Sequence, residues 1–144
     1  MSFNPDEEKN MAKKKILICD DDRDFAKLLI MRLNKDFEIE VAVDGLQVMQ
    51  TARKIKPDCI VLDIHMPGGT AYDIIKKLED NSHTLTIPII LMSGTEPDFS
   101  RLNEFHQKNF IKKPFHVSRL IDLIRQLTGE ETTEDETSKS REKF

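Results

Sequence analysis

Short apolar runs alternate with helix-spaced apolar positions along most of the chain. Ile16-Leu17-Ile18-Cys19 is a continuous apolar run that ends in acids, and Phe25, Leu28, Leu29 and Leu33 follow at helical spacing. Ile39, Val41 and Val43 alternate with polar residues, as in an edge strand. Asp44-Gly45 marks a turn, and Leu46, Met49, Ala52 and Ile55 predict a second helix face. Pro57-Asp58 breaks that helix, and Cys59-Ile60-Val61-Leu62 reads as a buried strand. After the loop Met66-Pro67-Gly68-Gly69, Tyr72, Ile75 and Leu78 mark a third helix. Ile87-Pro88-Ile89-Ile90-Leu91-Met92 predicts a fourth strand, with its proline near the start. Phe99, Leu102 and Phe105 predict a short fourth helix, and Phe110-Ile111 a brief fifth strand. Leu120, Ile121, Ile124 and Leu127 form the last helix, with Gly129 placed to cap it.

This is five strand–helix units in succession. Runs buried on both faces imply a parallel sheet covered on each side, so the expected fold class is α/β, a single doubly wound domain. In such sheets the site lies beyond the carboxyl ends of the strands, which makes every polar residue ending a strand a candidate.

Composition narrows the function classes. The 144 residues carry 22 Lys+Arg against 26 Asp+Glu, a net charge of −4, which argues against direct nucleic-acid binding. With 38% apolar residues there is material for one core, and with 33% charged residues there are long solvated faces or ends. We expect a solvated N-terminal extension at 1–13, one domain at 14–128, and an acidic solvated tail at 129–144, whose last residues hold one aromatic and no aliphatic side chain. No apolar run approaches a membrane span, and Cys19 and Cys59 lack metal spacing. Both read as reduced core residues of a cytoplasmic protein.

The strand ends hold the chemistry. The first strand ends in Asp20-Asp21-Asp22, the third in Asp63, the fourth in Ser93 and the fifth in Lys112-Lys113. Converging carboxylates repel one another, and a divalent cation relieves that repulsion. Oxygen donors without Cys or clustered His favour Mg²⁺ or Mn²⁺ over zinc. Asp63 can act as a carboxylate nucleophile toward phosphorus, giving an acyl phosphate. Lys113 would neutralise charge on the transferred group and Ser93 would donate a hydroxyl, so that positioning and electrostatics supply most of the catalysis. Asp22 or Asp24 suits a helix cap instead.

The pieces ILICDDD, IVLDIHMPGG, IILMSG and FIKKPF, in that order, resemble the receiver domain of two-component response regulators across roughly residues 14–128. The resemblance implies a flavodoxin-like (βα)5 fold with sheet order 2-1-3-4-5. It implies phosphorylation of Asp63 by a sensor histidine kinase or phosphotransfer protein. It implies Mg²⁺ held by Asp21, Asp63 and the backbone carbonyl of His65, with Asp20 acting partly through water. It assigns Ser93 and Phe110 as switch residues, Lys113 as the phosphate-pairing lysine with a cis bond to Pro114, and His65 and Thr95 as positions that set phosphate lifetime. The face made by the fourth helix, fifth strand and fifth helix would then control binding of a downstream protein. The chain would act as a monomer or a phosphorylation-dependent dimer, a signalling domain rather than an enzyme. Two departures stand out. Thr70-Ala71 replaces the usual Asp-Gly, and 101–109 lacks the usual Gly-Ala signal, which predicts a short or mobile fourth helix.

A second pattern resembles haloacid-dehalogenase-like phosphatases, with Asp20 as nucleophile, Asp22 as general acid, and Ser93 and Lys113 in support. The tail at 130–136 lies where that family needs a further acidic strand, and no cap domain is expected in a chain of this length.

Overall fold

The computed structural model describes residues 13–129. Five parallel strands form one sheet in the order β2-β1-β3-β4-β5. They are β1 (Lys14–Cys19), β2 (Phe37–Ala42), β3 (Cys59–Asp63), β4 (Ile89–Ser93) and β5 (Phe110–Lys112). The helices are α1 (Arg23–Leu33), α2 (Gly45–Ile55), α3 (Ala71–Glu79), α4 (Glu104–Lys108) and α5 (Val117–Thr128), with a 3₁₀ turn at Phe99–Arg101. The expected α/β class and strand order are both observed. The expected ends at 1–13 and 129–144 lie outside the described residues, apart from Lys13 and Gly129.

Alternation along the strands sends neighbouring side chains to opposite faces. Leu17, Cys19, Ile60, Leu62 and Leu91 pack beneath α2 and α3, against Val48, Ala52, Ile74 and Leu78. Ile16, Ile18, Cys59, Val61, Ile90 and Met92 pack beneath α1 and α5, against Leu29, Leu33, Leu120 and Ile124. The central strands therefore need apolar residues at every position, which is why their runs are continuous. Only edge strand β2 alternates, with Ile39 and Val41 half-buried.

Three local expectations need correction. In α1 the buried face is Ala26, Leu29 and Leu33, while Leu28 is 45% exposed. In α2 the buried face is Gly45, Val48 and Ala52, and Leu46 is 67% exposed. A side chain at Gly45 would collide with the carbonyl of Gly68, whose φ of +91° itself favours glycine. Gly45 N also donates to the Pro67 carbonyl at 3.0 Å, which ties the start of α2 to the loop that follows β3. Val48 thus faces the core instead of Leu46, while the expected Ala52 is buried and Met49 packs against the same cluster. The third correction concerns the predicted fourth helix, which is split. Asp98 caps the 3₁₀ turn, Leu102 is extended, and Asn103 caps α4 anew. Leu102 is buried, but Phe99 and Phe105 are 39% and 40% exposed. The expected shortness of this helix holds, since α4 has five residues.

Candidate functional site at the carboxyl edge of the sheet

Parallel strands bring their carboxyl ends to one rim. Asp20 follows β1, and its backbone N–H donates to the Ala42 carbonyl of β2 at 3.1 Å. Asp63 closes β3 and Ser93 closes β4. Lys113 follows β5, and its backbone N–H donates to the Ser93 carbonyl at 2.8 Å. The sheet's own hydrogen bonds thus align the candidate side chains.

Asp20, Asp21 and Asp63 each bring a carboxylate oxygen to within 4.8 Å of the others. Asp20 and Asp63 are buried, and Asp21 is exposed. The Lys113 ammonium donates to Asp20 Oδ2 at 2.8 Å and to Asp63 Oδ2 at 3.0 Å. The remaining oxygens meet backbone donors: Asp20 Oδ1 accepts from Asp22 N, and Asp63 Oδ1 from His65 N, both at 2.9 Å. Burial pushes the Asp20 carboxyl above its ordinary range, and the hydrogen bond from Lys113 opposes the shift without cancelling it. Burial pulls the other way on Lys113, but its two carboxylate partners outweigh it and hold the ammonium above its ordinary pKa. Three hard oxygen donors at this spacing, one of them open to solvent, fit a small divalent cation such as Mg²⁺.

A second hydrogen-bonded group borders the first. Ser93 is fully buried, and its Oγ accepts from Thr95 N at 3.1 Å. Thr95 Oγ1 lies 3.3 Å from Ser93 Oγ and 2.8 Å from His65 Nε2. The two residues singled out for phosphate lifetime therefore touch each other, a contact the sequence did not indicate. Phe110 is half-buried and meets the exposed ring of Phe99 edge-on, with centroids 6.2 Å apart.

Asp22 is not a free acid. Its Oδ1 accepts from Asp24 N and Phe25 N, both at 3.1 Å, and caps α1. The partner of Asp20 across the site is Asp63, so the Asp20–Asp22 phosphatase pattern finds no support. The Lys113–Pro114 bond is cis, as the resemblance implied. One neighbour of the site was read from sequence only as core. Phe25 places its ring under the Lys113 ammonium, 4.3 Å from Nζ to the ring centroid. The only cue was an aromatic in the first turn of the helix that follows the acids.

Comparison with known proteins converges on one family. A family model described as "Response regulator receiver domain" matches residues 16–125. The response regulator PleD of Caulobacter vibrioides is 31% identical over 117 residues, covering 79% of this chain and 26% of that protein. The DNA-binding regulator RpaA of Synechocystis is 26% identical, covering 78% of this chain and 48% of that protein. The chain thus spans a quarter to a half of these relatives. Among solved structures, the receiver domain of a histidine kinase from Syntrophus aciditrophicus aligns with a TM-score of 0.72 at 26% identity, covering 85% of this chain and 96% of that one. A histidine kinase receiver domain from Pseudomonas aeruginosa, described with magnesium coordinated in its cleft, aligns with a TM-score of 0.68 at 19% identity, covering 82% of this chain and 99% of that one.

Proposed function

Because the chain belongs to the response regulator receiver family, a signalling family, we propose that Asp63 is its phosphoryl acceptor and that the surrounding residues serve that transfer. The observation that carries this reading is the sharing of one ammonium, Lys113, between Asp20 and Asp63 beside a third carboxylate, Asp21.

The transfer balances simply. An oxygen of the Asp63 carboxylate forms a bond to phosphorus, and the bond from phosphorus to the donor breaks. The electron pair leaves with the donor, and the product is an acyl phosphate. Asp20, Asp21 and Asp63, with the His65 carbonyl, would hold Mg²⁺, which when bound neutralises charge on the phosphoryl oxygens. Lys113 supplies a fixed positive charge and gives up no proton. Ser93 offers its hydroxyl to the phosphoryl group once it turns from Thr95, and Phe110, now edge-on to Phe99, swings inward to fill the vacated space. A local charge so biases a two-state face. His65 and Thr95 border the approach of a hydrolytic water and set the lifetime of the acyl phosphate. The donor on this reading is a sensor histidine kinase or a phosphotransfer protein, and the recipient of the switched face is a downstream protein. The setting is the cytoplasm. Among the described residues no helix is long and apolar enough to cross a membrane.

The test is intact mass after incubation with acetyl phosphate and Mg²⁺. A single phosphoryl adduct is expected, dependent on Mg²⁺ and absent in Asp63→Asn. An adduct that survives Asp63→Asn but is lost in Asp20→Asn would sink the assignment.

A further inference from the structure

We propose that Phe25 is a positioning residue for the phosphotransfer reaction. Its ring face, braced by Phe115, holds the Lys113 ammonium between Asp20 and Asp63. This inference rests on the receiver reading above and adds to it a residue outside the acid, hydroxyl and lysine set.

An ammonium has three donors. Two of them are spent on Asp20 Oδ2 and Asp63 Oδ2, at 2.8 and 3.0 Å. The remaining side of Nζ faces the Phe25 ring, 4.3 Å from its centroid and well inside the ~6 Å reach of a cation–π contact. A ring face attracts the charge without offering a lone pair that could take a proton. It therefore leaves the two donors of Nζ on the carboxylates. A water or an acceptor side chain at the same place would take the third donor and draw the amine outward, away from the carboxylates. That matters here because the Lys113 side chain is 22% exposed, so solvent is within reach.

Both walls of this seat are anchored. Phe25 lies in the first turn of α1, and its backbone N–H donates to the Asp22 cap at 3.1 Å. Asp22 N in turn donates to Asp20 Oδ1 at 2.9 Å. One helix start thus fixes the buried carboxylate and the ring together. On the other side, Phe115 meets Phe25 edge-on, with centroids 5.9 Å apart and ring planes at 89°. Phe115 sits two residues beyond Lys113, so the loop that carries the lysine also braces the ring beneath it. Both rings pack on the α1/α5 face of the core, so filling space is the competing account of Phe25.

Ring electronics separate the two accounts. Successive fluorination of phenylalanine drains the ring face of negative potential and barely changes its size. The full-length protein is prepared with phenylalanine, one-, two- and three-fluorine analogues at position 25, and with Phe25→Tyr and Phe25→Leu. Phosphorylation by acetyl phosphate with Mg²⁺ is timed by intact mass. The rate should fall stepwise with each fluorine, several-fold across the series, while the unfolding temperature holds. Phe25→Tyr should retain most of the rate, and Phe25→Leu should lose about three- to tenfold. A flat fluorine series beside a slow Phe25→Leu would overturn the proposal and leave a core filler. A second readout does not need activity. The Lys113 ε-methylene protons should show an upfield ring-current shift that Phe25→Leu removes, and ordinary shifts in the unaltered protein would overturn the proposal. A protein that takes up no phosphoryl group yet shows the ring-current shift would fail the phosphoacceptor reading while keeping the Phe25–Lys113 contact.

Discussion

Lys113 and His106 are both cationisable groups removed from water, and the molecule treats them oppositely. Lys113 stands at the carboxyl edge of the sheet between two carboxylates, at 2.8 and 3.0 Å. His106 stands in α4, 5% exposed, with one carboxylate oxygen of Glu79 at 3.6 Å. Burial lowers the pKa of either group. For Lys113 the carboxylates prevail and the pKa rises, whereas for His106 burial prevails over Glu79 and the pKa falls. Partner number and reach decide the sign. The Glu79 side chain is 45% exposed and its charge is screened by solvent, while that of Asp20 is fully buried. A retained charge at the rim suits the proposed phosphoryl transfer. A suppressed one in α4 disfavours charge on the imidazole that this short helix buries.

The largest effect expected is from removing the retained charge. Lys113→Met leaves Asp20, with no exposed surface, facing Asp63 without a countercharge. The loss should be about 2–3 kcal/mol by urea unfolding at neutral pH, with Mg²⁺ restoring part of it. The folded pKa of Lys113 lies above its unfolded value of 10.5. Its contribution is therefore complete below that pH and disappears as pH rises through the folded value. The gap between the unaltered protein and Lys113→Met should accordingly close in strong alkali. A gap that stays constant to high pH would mean that packing of the lysine stem, not its charge, is what matters.

The contrast also separates what the chain discloses from what it hides. Asp20, Asp63, Ser93 and Lys113 were legible because each directly ends or follows a strand, and parallel strands share one rim. The central strands were legible because burial on both faces demands unbroken apolar runs. The helix faces were less so. In α2 the expected Ala52 is buried and Met49 packs on the core, but Leu46 is exposed and Val48 is buried in its stead, on the side where Gly45 approaches Gly68. The continuous helix read through Phe99, Leu102 and Phe105 failed because Asp98 and Asn103 each offer a cap and restart the backbone. Contacts between distant segments left no trace in spacing. The ring of Phe25 beneath Lys113 and the bond between His65 and Thr95 arise only once the strands are in order.

Smaller and more delicate is the acid side of the comparison. His106 has a folded pKa below its unfolded value of 6.5, so the unfolded chain binds the proton more readily. Stability should be unaffected by this group above that pH. It should then fall as pH drops from 6.5 toward the folded value, with a slope of at most about 1.4 kcal/mol per pH unit, one proton's worth. Urea midpoints between pH 7.5 and 5 should show that slope, and His106→Gln should flatten it. The groove beside the ring, about 460 Å³, also brings Lys76, Asp80 and Arg101 near, so the slope belongs to His106 only if that variant removes it. Glu79→Gln gives the finest test. Glu79 raises the His106 pKa, so its loss should carry that pKa lower still and extend the fall in stability to more acid pH. The added penalty should be a few tenths of a kcal/mol, as for a partly exposed pair, and nothing near neutrality, where the imidazole is uncharged. A Glu79→Gln variant less stable at pH 7.5 by as much as at pH 5 would show that Glu79 acts on α4 by packing. The contrast between one weak carboxylate and two strong ones would then fail.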